Sequence, residues 1–196
     1  MTAHIVAIPT NKDLEYLNSL RLYIYENDFR FSNKSSVSDT HITLSEISLE
    51  EAQIQNLEES IKNNLSNLKG FTISKEEWTL TKEDKEPNYR SDKPYTWIAL
   101  KFSQRKDLFL ELERITNELE INNNDEYIKN VKNIEEDIKD NECLANHMNL
   151  SNYTRREKAD ECWNYFNNKL PNKITFDRIA LRSEDGRLLL IIPLSQ

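Results

Sequence analysis

The stretches His41–Leu44 (HITL) and His147–Leu150 (HMNL) are the most informative part of this sequence, because they repeat one pattern 106 positions apart (147 less 41). In each stretch a histidine is followed two residues later by a short hydrogen-bonding side chain, Thr43 in the first and Asn149 in the second. In an extended strand, residues i and i+2 point to the same face. We therefore expect each stretch to present an imidazole beside a hydrogen-bonding group, with the intervening apolar residues turned toward a core.

The hydrophobic periodicity around the two stretches predicts a similar order of elements in each half of the chain. The predicted elements of the first half are a strand at His4–Pro9, a helix at Lys12–Asp28, the strand carrying His41, a helix at Leu49–Leu68, a strand at Phe71–Leu80 and a loop or hairpin at Thr81–Lys93. Those of the second half are a strand at Tyr95–Phe102, a helix at Gln104–Glu120, an extra charged helix at Asp125–Lys139, a strand at Leu144–Leu150, a helix at Tyr153–Asn167 and a hairpin of Ile174–Leu181 and Leu188–Leu194 turned at Glu184–Gly186.

This duplication predicts an α+β fold in one bilobal domain covering residues 1–196. We expect strand-helix-strand lobes at about 1–90 and 91–196, related by a pseudo-twofold axis, with two antiparallel sheets flanking a central cleft. A helical insertion at about 122–142 interrupts the second lobe. A packed surface insertion, a lid over the cleft and a partner-binding helix are all compatible with its narrow apolar stripe.

Composition limits the partners and the location. The net charge of −8 and the pI near 5.1 argue against a protein that grips long duplex nucleic acid through a basic surface. A small nucleotide or short oligonucleotide remains compatible. No apolar run is as long as a membrane span, and the N-terminus lacks the features of a secretory signal. We therefore expect a cytoplasmic protein without a membrane partner; protein partners remain open.

The small numbers of glycines and cysteines exclude several kinds of site. Gly70 and Gly186 are the only glycines, whereas phosphate-cradling loops and dinucleotide-binding fingerprints need several at fixed offsets. Cys143 and Cys162 are the only cysteines, and their spacing matches no standard zinc cluster. We expect both to be buried thiols, and we expect neither a metal site nor a cofactor.

The sequence resembles the two-histidine (2H) phosphoesterase superfamily, whose members include bacterial RNA 2′,5′-ligase-like proteins and cyclic phosphodiesterases. The resemblance covers nearly the whole chain. It is carried by Thr40–Leu44, by His147–Leu150 and by the C-terminal strands Phe176–Leu181 and Leu188–Leu194. The second motif departs from the family pattern at Asn149, where the family has Thr or Ser. An amide keeps a hydrogen-bond donor there and adds an acceptor.

The resemblance implies metal-independent hydrolysis of a phosphodiester by two-histidine acid–base catalysis. His41 and His147 would be the general acid and general base, in an order that the sequence leaves open, and Thr43 and Asn149 would bind the non-bridging phosphate oxygens. The implied substrates are a 2′,3′-cyclic phosphate, a 2′,5′-linked oligonucleotide or a cyclic oligonucleotide signal. The alternative is a catalytically weak nucleotide-binding protein that retains the cleft, and a simpler reading makes both histidines structural.

Four further residues are candidates for substrate binding. Tyr95 and Trp97 lie on the strand that follows the charged segment, and Tyr153 and Arg156 closely follow the second motif. Aromatic rings can stack on a nucleobase, and a guanidinium can bind phosphate. Core packing is the competing explanation for the aromatic residues, and a solvated helix face is the competing explanation for Arg156.

Overall fold

A computed structural model of the chain describes residues 2–31, 40–48, 59, 62–63, 69–87, 92–102, 147–183 and 185–195. These residues form eight strands, two longer α-helices and two short 3₁₀ turns. None of the described helices is long and apolar enough to cross a membrane. The strands are β1 (Thr2–Pro9), β2 (Ile42–Ser48), β3 (Phe71–Ser74), β4 (Thr79–Lys85), β5 (Tyr95–Lys101), β6 (His147–Thr154), β7 (Lys173–Ser183) and β8 (Leu188–Pro193), and the helices are α1 (Asn11–Glu26) and α2 (Ala159–Lys169).

The strands belong to one antiparallel sheet with the order β3-β7-β1-β2-β6-β5-β4, and β8 also pairs with β7. The sequence predicts two sheets, and the structure joins them where β2 meets β6. That junction consists of a single registered pair, Ile42 with Met148. By contrast, β4 and β5 pair over seven positions. The antiparallel α+β character is confirmed, whereas the duplicated lobes and the pseudo-twofold axis are not. β7, from the second half of the sequence, pairs with β1.

Both longer helices contribute to the same core cluster on one face of the sheet. The helix side chains in this core include Leu17, Leu20 and Ile24 of α1 and Cys162 and Phe166 of α2, and each is at most 5% exposed. Burial of Cys162 confirms the prediction for that thiol. The sheet contributes alternate residues of several strands to this cluster: Ala3, Ile5, Ala7, Ile42, Ile98, Leu100, Met148, Ile179 and Leu181. The intervening residues of these strands therefore lie on the opposite face.

Several predicted elements are confirmed within one or two residues: β1, α1, β5 and the hairpin of β7 and β8. The α1 helix begins after Thr10, whose side-chain oxygen accepts a hydrogen bond from the backbone N–H of Asp13 at 3.4 Å. The hairpin turn contains Gly186 at a φ of +93°, a conformation that suits glycine because it has no Cβ.

The predicted single strand at Phe71–Leu80 is wrong. It is broken at the 3₁₀ turn Lys75–Glu77, where the Glu77 carboxylate accepts a hydrogen bond from the backbone N–H of Ser74 at 2.7 Å. The chain then re-enters the sheet as β4. This strand includes the first residues of the segment that was predicted to be a loop or hairpin, Thr81–Lys93. β4 carries four charged residues because it is an edge strand, where charge is common.

The second motif strand continues further than predicted. β6 extends to Thr154, which pairs with Thr96 of β5, and α2 begins at Ala159 instead of Tyr153. Tyr153 adopts a left-handed φ of 59°, which is incompatible with the first turn of a helix. Its neighbours Arg156–Lys158 form a 3₁₀ turn before α2.

Other predictions fall outside the described residues. These are the helices at Gln104–Glu120 and Asp125–Lys139, the insertion at 122–142, the start of the strand at 144–146, and Cys143. Of the predicted helix at Leu49–Leu68, the structure describes only residues 59 and 62–63, and all three are helical.

Candidate active site

The two histidine stretches meet at the junction of β2 and β6. Ile42 and Met148 face each other across the antiparallel pair, and both are fully buried in the helix-covered core. Because side chains alternate along a strand, the residues flanking this pair lie on the other face. These residues are His41, Thr43, His147 and Asn149, and all four are half-buried. Strand alternation therefore predicts that the four candidate catalytic residues share one face. His41 itself directly precedes β2 (Ile42–Ser48), and the catalytic role of all four stays a prediction.

The antiparallel geometry also sets their order. If the register of Ile42 and Met148 is continued by one residue in each direction, Thr43 would be the cross-strand neighbour of His147, and His41 that of Asn149. The two imidazoles then occupy diagonal positions. Diagonal neighbours lie about 7 to 8 Å apart, a span over which one phosphate group can contact both rings.

A buried polar cluster holds the β2 side of the junction. Thr40, which directly precedes His41, is 1% exposed. Its backbone N–H and its hydroxyl both donate to the Asn18 side-chain oxygen, at 3.2 and 2.9 Å. The guanidinium of Arg21 donates to the Thr40 hydroxyl at 3.3 Å and to the Leu150 carbonyl at 3.2 Å. One α1 side chain therefore ties the residue before His41 to the strand that carries His147.

The surroundings of His147 favour its neutral form. The Trp97 ring meets the imidazole edge to face, with centroids 4.9 Å apart and planes at 86°. Lys101 lies directly opposite His147 in the pairing of β5 with β6. Burial and, to a smaller extent, the Lys101 charge lower the pKa of His147 from 6.5 to about 4, against a partial offset from the Glu83 charge. The His147 imidazole is therefore uncharged at neutral pH.

Trp97 also fixes the orientation of the Asn149 amide. The indole Nε1–H donates a hydrogen bond to Asn149 Oδ1. Since an indole nitrogen is only a donor, the amide oxygen must face it. The Asn149 NH₂ group is thereby left to donate elsewhere. An amide oriented in this way can supply the donor that Thr or Ser supplies in the family pattern.

Three charged side chains lie beside Trp97 on the same face of β4 and β5. The Glu83 carboxylate contacts Lys101 Nζ at 2.5 Å and Lys85 Nζ at 2.9 Å. The Lys85 ammonium lies 5.5 Å from the centre of the Trp97 ring, within the range of a cation–π interaction. This Lys85–Glu83–Lys101 cluster borders His147 on the side away from β2.

The remaining candidate residues are placed differently. Tyr95 shares the face of Trp97, two residues along β5, and its ring contacts that of Tyr153 at 4.8 Å between centroids. Arg156 lies at the end of β4, where it donates to the Glu86 carboxylate at 2.8 Å and to the Lys85 carbonyl at 3.2 Å. The structure therefore sets Trp97 against His147, pairs Tyr95 with Tyr153, and holds Arg156 beside β4.

The sequence interpretation missed the residues that support the site. Lys101 could have been found from the sequence. It lies at even spacing from Tyr95 and Trp97 along one strand, so all three side chains point to the same face. No comparable signal points to Asn18 or Arg21, since their contacts with Thr40 and Leu150 join distant parts of the chain.

Comparison of the sequence with family models and with curated proteins finds no match. Two solved structures of Escherichia coli LigT are similar to the chain. One, complexed with phosphate, has 12% identity and a TM-score of 0.47 and covers 99% of this chain and 97% of its own. The other, in apo form, has 14% identity and a TM-score of 0.48, with coverages of 100% and 98%.

Proposed function

We propose that this chain is a metal-independent phosphodiesterase that hydrolyses a small nucleotide or oligonucleotide by two-histidine acid–base catalysis. The observation that carries the proposal is the pairing of Ile42 with Met148. By strand alternation, this one pair supports an arrangement in which two imidazoles and two hydrogen-bonding side chains share a face. Acid–base cleavage of a phosphodiester needs a proton acceptor, a proton donor and donors for the anionic oxygens, and this arrangement contains one group for each task.

The lowered pKa of His147 supports different roles for the two histidines. His147 has its pKa lowered to about 4, so at neutral pH its imidazole accepts the proton of the attacking oxygen. That oxygen belongs to water in hydrolysis, or to a ribose hydroxyl in transesterification, and it bonds to phosphorus as it loses the proton. His41 donates a proton to the leaving oxygen as the bond between phosphorus and that oxygen breaks, so that the departing alcohol is neutral.

Thr43 and Asn149 would stabilise the negative charge that builds on the non-bridging oxygens. The Thr43 hydroxyl and the Asn149 NH₂ group are both donors on the shared face. Such donors are most effective when they are oriented before the reaction begins. The hydrogen bond from Trp97 to the Asn149 oxygen provides that orientation.

Aromatic side chains next to the site would hold the nucleobases. Trp97 borders the phosphate position through its contact with His147, and Tyr95 with Tyr153 forms a second aromatic pair further along β5. Stacking on such rings contributes about 1 to 3 kcal/mol per base. Arg156, held at the end of β4, would contact only the distal part of a bound oligonucleotide.

A turnover assay in EDTA tests this proposal. The substrates are a panel of 2′,3′-cyclic nucleotides, 2′,5′-linked oligonucleotides and cyclic dinucleotides. We expect product from the wild type and a loss of about 10²- to 10⁴-fold in His41→Ala and His147→Ala. His4→Ala, which removes the third histidine from β1, is the matched control and should retain the activity. Saturable binding without product in the wild type would instead support the nucleotide-binding alternative.

A further inference from the structure

The Lys85–Glu83–Lys101 cluster borders His147 and affects its pKa, but it transfers no proton in the proposed acid–base chemistry. We infer that this cluster binds a second phosphate of the substrate, adjacent to the one that is cleaved. This inference rests on the proposed function and narrows its substrate class. The preferred substrate then carries at least two phosphates, as an oligonucleotide with neighbouring phosphodiesters or as a dinucleotide with a terminal phosphate.

The position of the cluster separates it from the cleaved phosphate. The cleaved phosphate must contact both His41 and His147, so it lies over the junction of β2 and β6. Lys101 is on β5 and the other two members are on β4, which are one and two strands beyond β6 in the sheet order. Neighbouring strands lie about 4.8 Å apart. The cluster therefore flanks the reacting phosphate on the side away from His41.

The charge of the cluster suits an anion. Two ammonium groups share one carboxylate, so the cluster has a net charge of +1, whereas the whole chain carries −8. Hydrogen bonding, chiefly from Lys101, lowers the pKa of Glu83 and keeps the carboxylate ionised at neutral pH. A phosphate oxygen can displace Glu83 from either ammonium group. Glu83 then keeps the lysines positioned when no substrate is bound.

Stabilisation of the edge strand β4 does not explain why the Glu83 carboxylate contacts two lysines. Exposed ion pairs contribute about 0 to 1 kcal/mol each, and the side chains of Lys85 and Lys101 are 44% and 38% exposed. Lys82 on the same strand gives the contrast, because it pairs one to one with Asp160 of α2 on the helix-covered face. On the face of β4 that carries Glu83, by contrast, one carboxylate contacts two lysines.

A substrate series that differs only in phosphate content tests the inference. The probes are a 2′,5′-linked adenylate dimer, the same dimer with a 5′-terminal phosphate, and the unphosphorylated trimer with two phosphodiesters. We expect kcat/KM to be higher for both two-phosphate probes than for the dimer. The terminally phosphorylated dimer and the trimer distinguish a terminal phosphate from an internal phosphodiester as the preferred ligand.

The variants isolate the cluster. Lys85→Gln should lower the ratio of kcat/KM for a two-phosphate probe over the dimer by about 2- to 5-fold. It should also reduce the slope of log kcat/KM against log salt concentration by about 1. Glu83→Gln should raise the ratio, because it removes the competing carboxylate. Lys101→Gln is measured at pH 8, where His147 is neutral with or without the neighbouring charge. Lys82→Gln removes the same charge from the opposite face and should leave the ratio unchanged.

Each outcome decides the inference separately from the proposed function. Turnover with a ratio that none of the three cluster variants alters would overturn the inference and leave the phosphodiesterase standing. If no probe is turned over, the binding affinities of the same probes are compared. A preference for two phosphates that depends on Lys85 would then support the cluster as a phosphate site, and equal affinities in wild type and variant would reject it.

Discussion

The indole of Trp97 contacts the imidazole of His147 edge to face at 4.9 Å and also donates its N–H to the Asn149 side-chain oxygen. One residue of β5 thus supports two residues of the second histidine motif. The contact packs an apolar ring against the imidazole, and the hydrogen bond selects one of the two amide orientations. The two effects can be separated by mutation, since a phenyl ring keeps the first and lacks the second.

Trp97→Phe should therefore impair catalysis through Asn149. Without the indole donor the amide is free to rotate, and its oxygen can face the phosphate as readily as its NH₂ group. We expect kcat to fall by about 5- to 30-fold, corresponding to about 1 to 2 kcal/mol. Steady-state kinetics measure the change. Trp163→Phe is the control, because it removes a similar indole hydrogen bond, to the Leu80 carbonyl at 3.2 Å, on α2. An equal loss of kcat in both variants would contradict the assigned role.

The lowered pKa of His147 predicts how folding stability depends on pH. Its pKa is 6.5 in the unfolded chain and about 4 in the folded protein, so the unfolded chain binds more protons between these values. The stabilising contribution is present above pH 6.5 and is lost as the pH falls toward 4. The loss amounts to about 2 to 3 kcal/mol, allowing for partial exposure of the ring. Urea denaturation at pH 4.5 and 7 measures it, and His147→Asn should show a smaller difference between the two pH values. Equal differences in wild type and variant would contradict the prediction.

The same pKa predicts the pH dependence of activity. As the base, His147 must be deprotonated, so kcat/KM should rise as the pH passes through about 4 and should already be near its maximum at pH 6. The mechanism also requires an alkaline limb, because the general acid must carry a proton. A pH–rate profile from pH 3.5 to 9 measures both limbs, whose apparent pKa values belong to the coupled pair. An acidic limb near 6.5 would show that the environment of His147 does not control the reaction.

Structural features that depend on neighbouring residues could be predicted from the sequence, whereas features without a local sequence pattern could not. The faces of the histidine stretches followed from strand alternation, and β1, α1 and the C-terminal hairpin followed from local periodicity. β4 was missed because a charged edge strand lacks the alternation of a half-buried one. The extension of β6 was missed because the left-handed backbone at Tyr153 has no signature in a tyrosine side chain.

The contacts that support the candidate site could not be predicted from the sequence. Arg21 contacts residues 19 and 129 positions away, and no periodicity links such distances. The single-pair junction of β2 and β6 was equally inaccessible, because pattern alone predicted two sheets. What could be predicted was therefore which residues share a face, and what could not was what holds the two strands together.

Arg21 gives the junction a second attachment, and its removal should affect catalysis more than binding. Arg21→Met loses the hydrogen bonds to the Thr40 hydroxyl and the Leu150 carbonyl. Small displacements of reacting groups are costly, so we expect kcat to fall by about 10- to 100-fold, with little change in KM. Arg178→Met is the matched control, because Arg178 makes similar contacts with the Pro9 carbonyl at 2.9 Å and Asn11 at 2.5 Å, on β7, which β1 separates from β2. A similar loss of kcat in both variants would indicate a general loss of structure instead.

The backbone of Tyr153 predicts a difference between two substitutions that both remove its ring. A non-glycine residue at a φ of 59° carries about 1 kcal/mol of strain or more, and glycine adopts this conformation without it. Tyr153→Gly should therefore be more stable than Tyr153→Ala by about 1 kcal/mol. Both lose the contact with Tyr95, so both should raise KM for an oligonucleotide by the same factor if the ring binds a base. Urea denaturation and steady-state kinetics measure the two effects. If KM instead rises more in the less stable Tyr153→Ala than in Tyr153→Gly, Tyr153 acts on the fold and does not bind the substrate.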